Sequence, residues 1–421
     1  MKKSIIITII VLPVILGAVY YFWNEPTNEN EIQSSNFATS DSTIAEESDV
    51  DTAFLKSVFE LDDSYDYNND SLLVQGEDNA AGLSKDEFAG QTRINIALIG
   101  LDSRMGATTG HADANHILSI MPDIGKIQII SIPRDTYVDC GYDDTTHLNK
   151  LTVYYMAAGR RAYLQKLAEI AKLPSIPYYV EFGFSQAMGI MSLFGYKSSE
   201  TLQVLRSRKS FAIGDYQRVY NQAQFIKQLM ARHYNTLTGT FQPVFINGIL
   251  ALVKTNMKYN DISNIFNKLE QYQFAALPEN ISIKIRPSLK ANYKVFDFSN
   301  PEMIAQMKQQ LGLDKIAKRD TSAFTPTDFT KYLENKLSKL IASAAKDTLK
   351  NPQLTINKLK PTYEQKIWLQ FENDSLRNLY SKKMSDLLQT AYLRRKDTVS
   401  ANKIKVAYIA EQDLFTKSKV Q

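Results

Sequence analysis

Cysteine is almost missing from this chain of 421 residues. Cys140 stands alone, so no intrachain disulfide is possible and the fold must be held by its core, even in an oxidising compartment. Histidine is scarce as well. The four histidines match neither a zincin nor a catalytic triad; His111 and His116 are metal-ligating by type, but no third ligand completes a pattern. There is no Gly-x-Ser-x-Gly elbow, no phosphate-binding P-loop and no internal repeat. Charge of one sign is also lacking: a net +4 on a chain this long gives no reason to expect nucleic acid, and no basic recognition helix stands out. With 44% hydrophobic and 22% charged residues, wholesale disorder is excluded too.

The N terminus carries the first positive signal. Lys2 and Lys3 precede an uncharged run from Ser4 to Trp23, closed by the aromatic residues Tyr20, Tyr21, Phe22 and Trp23. As a helix this run is about 30 Å long, the thickness of a bilayer's hydrocarbon core. Glu25 to Asp51 contains acids but no Lys or Arg, so the charge asymmetry puts the N terminus inside and the body outside. A cleaved signal peptide is the competing reading. It wants a small-x-small site after the apolar stretch, whereas bulky aromatics follow Gly17-Ala18, which favours an uncleaved anchor. The expected organisation is a tail (1–3), a transmembrane anchor (4–23), a polar acidic linker (24–90), a folded body (91–312) and a helical, Lys-rich region (313–421).

Within the body, Ile94–Gly100 reads as a buried strand, followed by a polar loop over Leu101–His111. Ile117–Met121 and Lys126–Ile132 read as a hairpin turned at Pro122–Gly125. Helices are expected over Leu148–Ala158, stopped by Gly159, and over Arg161–Lys172. Pro177–Phe182 reads as a strand, Ser185–Leu193 as a helix and Leu202–Leu205 as a short strand. Asp215 caps a helix running to about Tyr234, with Val219, Ala223, Ile226 and Met230 on its apolar face and Arg218 and Gln222 on another. This alternation predicts an α/β fold, a three-layer α-β-α sandwich around a mixed sheet. Residues 325–421 contain no glycine and read as helical.

Three clusters carry chemistry: Asp102 with Asp113; Ser131-Ile132-Pro133-Arg134-Asp135-Thr136; and Arg206-Ser207-Arg208 with Asp215, Arg218 and Gln222. Each falls where a strand ends or a helix begins, and such ends surround the ligand crevice of open α/β sheets. Arginine forks suit phosphate oxygens, and two aspartates suit a Mg²⁺ that completes its shell with those oxygens. Each piece alone also has a plainer meaning. Arg134-Asp135 fits a structural ion pair, Arg206-x-Arg208 a solvated edge, and Asp215 an N-cap.

Taken in order, the clusters resemble the LytR-CpsA-Psr family of cell-wall glycopolymer transferases. The residues that carry the resemblance begin with Asn95-Ile96-Ala97-Leu98-Ile99-Gly100-Leu101-Asp102-Ser103-Arg104, Ala112-Asp113 and the Ser131–Thr136 segment. They continue through Leu148-Asn149-Lys150, Pro177-Tyr178-Tyr179-Val180, Arg206-Ser207-Arg208 and Gly214-Asp215-Tyr216-Gln217-Arg218. The resemblance implies a single-pass membrane protein with an extracytoplasmic domain. It implies transfer of a glycopolymer from a polyprenyl pyrophosphate carrier to peptidoglycan through a phosphodiester. It puts Asp102 and Asp113 on Mg²⁺ and Arg134, Arg206, Arg208, Arg218 and Gln222 on the pyrophosphate. Asp102, Arg134, Arg208 and Arg218 would be catalytic, Asp102 by deprotonating the acceptor, with Asp215 orienting the arginines or touching the metal shell and Asp135 standing behind the residues that touch substrate. The chain departs from the family pattern at His111 and Asn221, where arginines are usual, at Ala114, and in a short segment between Gly195 and Arg206. These departures motivate a non-catalytic binder or scaffold of lipid-linked glycan as an alternative, and a polyprenyl pyrophosphate hydrolase using the same site is another. For the C-terminal region, Lys336–Lys350 and Arg394-Arg395-Lys396 read as solvated helix faces, or as contacts to a partner the sequence does not name.

Overall fold

The computed structural model describes residues 90–103, 105–107, 110–207, 213–289, 291–311 and 326–419, with Phe88 and the backbone of Glu77–Asp78. The expected tail, anchor and nearly all of the linker lie outside the described residues, as do Arg104 and Arg208. Among the described residues no helix is long and apolar enough to cross a membrane.

A six-stranded mixed sheet organises the body. The strands are β2 (Ile94–Asp102), β3 (His111–Met121), β4 (Lys126–Ser131), β5 (Tyr178–Gly183), β6 (Lys254–Thr255) and β7 (Ile281–Ile285), in the spatial order β6-β5-β2-β3-β4-β7. A separate two-residue pairing joins β1 (Glu77–Asp78) to β8 (Asn292–Tyr293). β2 runs antiparallel to β3 and parallel to β5, and β4 runs parallel to β7. Successive side chains of β2 point to opposite faces. Ala97 and Ile99 pack with Ile117, Ile130 and Ile132 against Tyr163 and Leu167 of helix α1 (Leu151–Ala171). Ile96 packs on the other side, with Ile127 and Ile129, against Ala223 of α4 (Asp215–Thr238) and Ile265 of α6 (Tyr259–Gln271). Covered on both faces, the strand reads as a near-continuous apolar run. The three-layer arrangement expected from the sequence is present.

Several local expectations change. Asp215, read as an N-cap, is the first residue of α4, with Gly214 at the N-cap and no side-chain cap. α1 starts at Leu151 rather than Leu148. Gly159 interrupts α1 with φ 76°, where two helices separated by that glycine were expected. β3 starts at His111, six residues before the expected strand, because it continues to pair with β2 as far as Asp102. Leu202–Leu205 is not a strand. It belongs to α3 (Ser198–Arg206), whose buried Ser198, Thr201, Leu202 and Leu205 recur at helical spacing; a four-residue apolar run is too short to reveal that period.

The C-terminal region folds as α8 (Pro326–Asp347), α9 (Pro352–Glu364), a 3-10 turn (Ile367–Gln370), α10 (Asp374–Arg394) and α11 (Thr398–Lys417). Side chains of Asn351, Asn373 and Asp397 cap the starts of α9, α10 and α11. The exposed run Arg394-Arg395-Lys396 closes α10, where cations oppose the negative end of the helix dipole. These helices share one core with the sheet domain. Leu337, Trp368, Met384, Leu388 and Leu414 pack with Leu193 of α2 (Phe184–Leu193) and Phe245 and Leu252 of α5 (Gln242–Leu252). Gly248 permits the approach of α5 to α11, since a Cβ there would lie 2.5 Å from the Leu414 Cβ. Substituting Gly248→Ala is therefore expected to lower unfolding stability by about 1–3 kcal/mol through overpacking, read from urea denaturation. Unchanged stability would contradict this shared core.

Candidate functional site

The chemistry-bearing residues gather at one end of the sheet, where β2, β4 and β5 finish and β3 begins. A bulge sets the position of Asp113. Gly100 pairs with Ala114 and Leu101 with Ala112, so Asp113 is the extra residue on β3, re-aimed out of the regular ladder. Gly100 makes this possible: a Cβ there would stand 2.8 Å from the Ala114 Cβ. On the neighbouring strand, the Ile132 N–H still donates to the Asn115 carbonyl at 2.9 Å, and Pro133 then turns the chain outward. The turn delivers Arg134.

Three aspartates and three arginines interlock there. Arg134 Nη1 donates to Asp113 Oδ1 at 2.7 Å, and Thr152 Oγ1, in the first turn of α1, donates to the same oxygen at 3.3 Å. The Arg134 backbone N–H donates to Asp215 Oδ2 at 3.0 Å. Asp215 Oδ1 pairs with Arg218 Nη2 at 2.5 Å, one turn along α4, and the same guanidinium donates to the Asp113 carbonyl at 3.4 Å. Arg206 ends α3, with Nη2 3.6 Å from Asp102 Oδ1 and its guanidinium carbon 5.6 Å from the centre of the Phe184 ring. Burial grades across the cluster: the Arg218 side chain is 5% exposed, those of Arg134 and Asp113 19%, and Asp102 49%. Asp102 is thus the carboxylate at the rim.

Electrostatics follow from this packing. Burial works to raise the Asp113 carboxyl, but Arg134 and Arg218, the hydrogen bond from Arg134, and Arg206 hold it below its usual range. Burial opposes the charge of Arg134 as well, and Asp113 overrides it, so that guanidinium is held more firmly protonated than usual. Crowded arginines repel one another unless negative charge separates them. Among the described residues, each arginine of the cluster faces an aspartate. A guanidinium has five N–H donors, so an ion pair does not exhaust it. The Arg134 Nε is buried without an acceptor among the described residues.

The remaining expected residues have other neighbours. Asp135 pairs with Lys150 at 3.3 Å. Gln222 spans two protein groups, its Nε2 donating to the Leu205 carbonyl at 3.0 Å and its Oε1 lying 3.2 Å from His116 Nε2. His116 Nδ1 is 2.7 Å from Ser131 Oγ. His116 therefore belongs to a buried chain linking β4 to the end of α3, next to Arg206. Asn221 is fully buried and accepts from Gln217 Nε2 at 2.8 Å. His111 sits opposite Asp102 in the β2–β3 ladder. Arg208 lies outside the described residues. Thr152 and Phe184 escaped the sequence reading. The signal for Phe184 is its place directly after a strand parallel to β2, at the same sheet end; Thr152 has no comparable signal. Among the described residues no three His, Cys, Asp or Glu side chains converge as a metal site.

Comparison with known proteins places the sequence. The model of the LytR_cpsA_psr family matches residues 62–195 and 187–312, more than half of the chain. Among curated proteins, the polyisoprenyl-teichoic acid–peptidoglycan teichoic acid transferase TagU of Oceanobacillus iheyensis is 30% identical over 173 residues, covering 34% of this chain and 53% of that protein. A protein of the same name from Halalkalibacterium halodurans is 24% identical over 199 residues, covering 41% and 64%. The chain thus spans about half to two thirds of the length of these relatives. Among solved structures, protein gbs0355 of Streptococcus agalactiae gives a TM-score of 0.39 at 16% identity, covering 52% of this chain and 88% of that one. TagV of B. subtilis gives 0.37 at 18%, covering 52% and 98%.

Burial pushes the His116 imidazole down to about 4 from 6.5; the Gln222 hydrogen bond opposes that shift and Arg218 adds to it. Below about pH 6.5 the unfolded chain takes a proton that the folded chain refuses until about pH 4. Stability is therefore expected to fall as pH drops through that window, by on the order of 3 kcal/mol. Urea midpoints measured across it should decline less steeply for His116→Gln, and equal slopes would contradict the assignment.

Proposed function

The chain belongs to the LytR_cpsA_psr family, and on that premise we propose that it transfers a phosphoglycan, teichoic-acid-like or capsular, from a polyprenyl pyrophosphate carrier to peptidoglycan. The observation that carries this reading is the convergence of Arg134, Arg206 and Arg218 with Asp102, Asp113 and Asp215 at the sheet end. Arg134, whose buried Nε–H lacks an acceptor among the described residues, Arg218 and Arg206 bind the pyrophosphate, and the family resemblance assigns Arg208 to it as well. Asp215 orients this set by holding the Arg134 backbone and the Arg218 head together. Gln222 contributes by fixing the end of α3, and with it Arg206.

The donor set suits Mg²⁺. Among the described residues, the contacts of the Asp113 carboxylate from Arg134 and Thr152 both fall on Oδ1, which would leave Oδ2 for a cation, and the half-exposed Asp102 supplies a second carboxylate. Mg²⁺ is commonly held by one or two carboxylates plus substrate phosphates and water. When bound it would neutralise charge on the pyrophosphate oxygens. Asp102, at the rim, accepts the proton of the peptidoglycan hydroxyl. That oxygen bonds to the phosphorus bearing the glycan, the anhydride bond breaks, and polyprenyl phosphate leaves. On this reading residues 4–23 anchor the chain in the cell membrane with its N terminus inside and the site outside.

A non-catalytic binder is the second reading, favoured by the matching of each described arginine with an aspartate. A polyprenyl pyrophosphate hydrolase is the third. Incubating the full chain with lipid-linked glycan, Mg²⁺ and sacculi separates them. Transfer predicts polyprenyl phosphate release and glycan on the sacculi, stopped by EDTA and lowered about 100-fold or more by Asp102→Ala or Arg134→Ala. Release without acceptor indicates the hydrolase, and bound donor without release indicates the binder.

A further inference from the structure

The loop between β2 and β3 carries Asp102 at its entrance and leads into the Asp113 bulge. It is narrow at its base: a Cβ on Gly110 would lie 2.8 Å from the Asp102 carbonyl oxygen. Its tip does not rest on the sheet domain alone. Met105 packs into the core formed by the C-terminal helices. Gly106, at φ +80°, directs its N–H to Gln365 Oε1 at 2.7 Å, and Gln365 Nε2 donates to the Ala107 carbonyl at 2.9 Å. One side-chain amide thus reads both backbone groups of the loop tip, from 259 and 258 residues away.

The segment bearing Gln365 is itself held from two sides. Toward the sheet domain, Gln186 Nε2 donates to the Glu364 carbonyl at 3.0 Å, and Gln370 Nε2 to Ser185 Oγ at 2.8 Å. Leu369 covers Gly189, where a Cβ would meet its Cδ1 at 2.8 Å. These contacts fall on the first turns of α2, directly after Phe184, the ring beside Arg206. From behind, the buried Glu411 of α11 accepts from Trp368 Nε1 at 2.6 Å, Ser381 Oγ at 3.0 Å and Lys366 Nζ at 3.3 Å. A buried carboxylate satisfied by three donors fixes its partners tightly, because losing any one leaves polar groups unpaired in a low dielectric. Glu411 therefore stiffens the segment that grips the loop.

We propose that Gln365 is a positioning residue for the transfer reaction, strapping the β2–β3 loop so that Asp102 keeps its place opposite the arginines. It touches no substrate and acts through the backbone of Gly106 and Ala107. The C-terminal helices, which lie beyond the family match at residue 312, become part of the catalytic apparatus through this contact. The inference rests on the transfer reading above. Since the donor's pyrophosphate is held from β4, α3 and α4, loosening the loop affects turnover more than donor binding.

The test uses the full chain with Gln365→Leu and Gln365→Glu, followed by hydrogen–deuterium exchange over 103–110 and by kinetics with lipid-linked donor. Gln365→Leu removes both hydrogen bonds. It is expected to accelerate exchange in that segment, lower kcat about tenfold and leave KM for the donor within about twofold, with an unchanged melting temperature. Gln365→Glu keeps the acceptor for Gly106 and loses the donor to Ala107, so it should fall between. Unchanged exchange in 103–110, or an unchanged kcat, would overturn the proposal. A wild-type chain with no transfer would sink the functional reading instead, while faster exchange in Gln365→Leu would still uphold the strap.

Discussion

Burial works against the charge of Asp113, and three guanidiniums, led by Arg134, restore it. Much of the surrounding architecture supports that balance. The bulge in β3 turns Asp113 out of the ladder, and Gly100 gives the paired strand room beside it. Thr152 brings the start of α1 to the same oxygen that Arg134 uses. Asp215 then ties the Arg134 backbone to the Arg218 side chain. Three layers of the fold meet at one carboxylate. Removing a partner would strand a buried charge, which is far more destabilising than removing an exposed pair.

This arrangement also bears on how an anion would enter. A cluster of unopposed arginines would bind any phosphate. Here each described arginine is already matched, so a pyrophosphate must compete with aspartates or use the donors they leave over. A cation held by Asp102 and Asp113 would draw those carboxylates off the guanidiniums and free donors for the phosphates. Metal and pyrophosphate would then favour one another's binding.

Several elements were legible in the sequence because their signals are local. The apolar run at Ile94–Gly100, the turn at Pro122–Gly125, the break at Gly159 and the apolar spacing of α4 each follow from a few neighbouring residues. Arg134, Arg206, Arg218, Asp102, Asp113 and Asp215 were legible as phosphate chemistry by type and by their place at element ends. Their pairing was not. Whether Arg134 meets Asp135, its neighbour in sequence, or Asp113 depends on the bulge, and a bulge leaves no clear trace in composition. Gln222 was assigned to substrate, whereas its amide is taken up by His116 and Leu205. Leu202–Leu205 was too short to show its period. The docking of the C-terminal helices was hidden for another reason: Leu414 against Gly248, and Gln365 against Gly106, are contacts between residues that share no local pattern.

The C-terminal helices keep solvated faces such as Arg394-Arg395-Lys396 and form a wall of the domain. They share its core through Phe245 and Leu252 and reach the loop beside Asp102. The central claim remains that the arginine–aspartate cluster receives a prenyl pyrophosphate. Titrating the full chain with farnesyl pyrophosphate and Mg²⁺ while following the phosphorus NMR signals tests it most directly. Both phosphorus resonances are expected to shift on binding, Arg134→Ala to abolish the shift, and farnesol not to compete. Binding that survives Arg134→Ala, or that farnesol displaces as well as the pyrophosphate does, would contradict the claim.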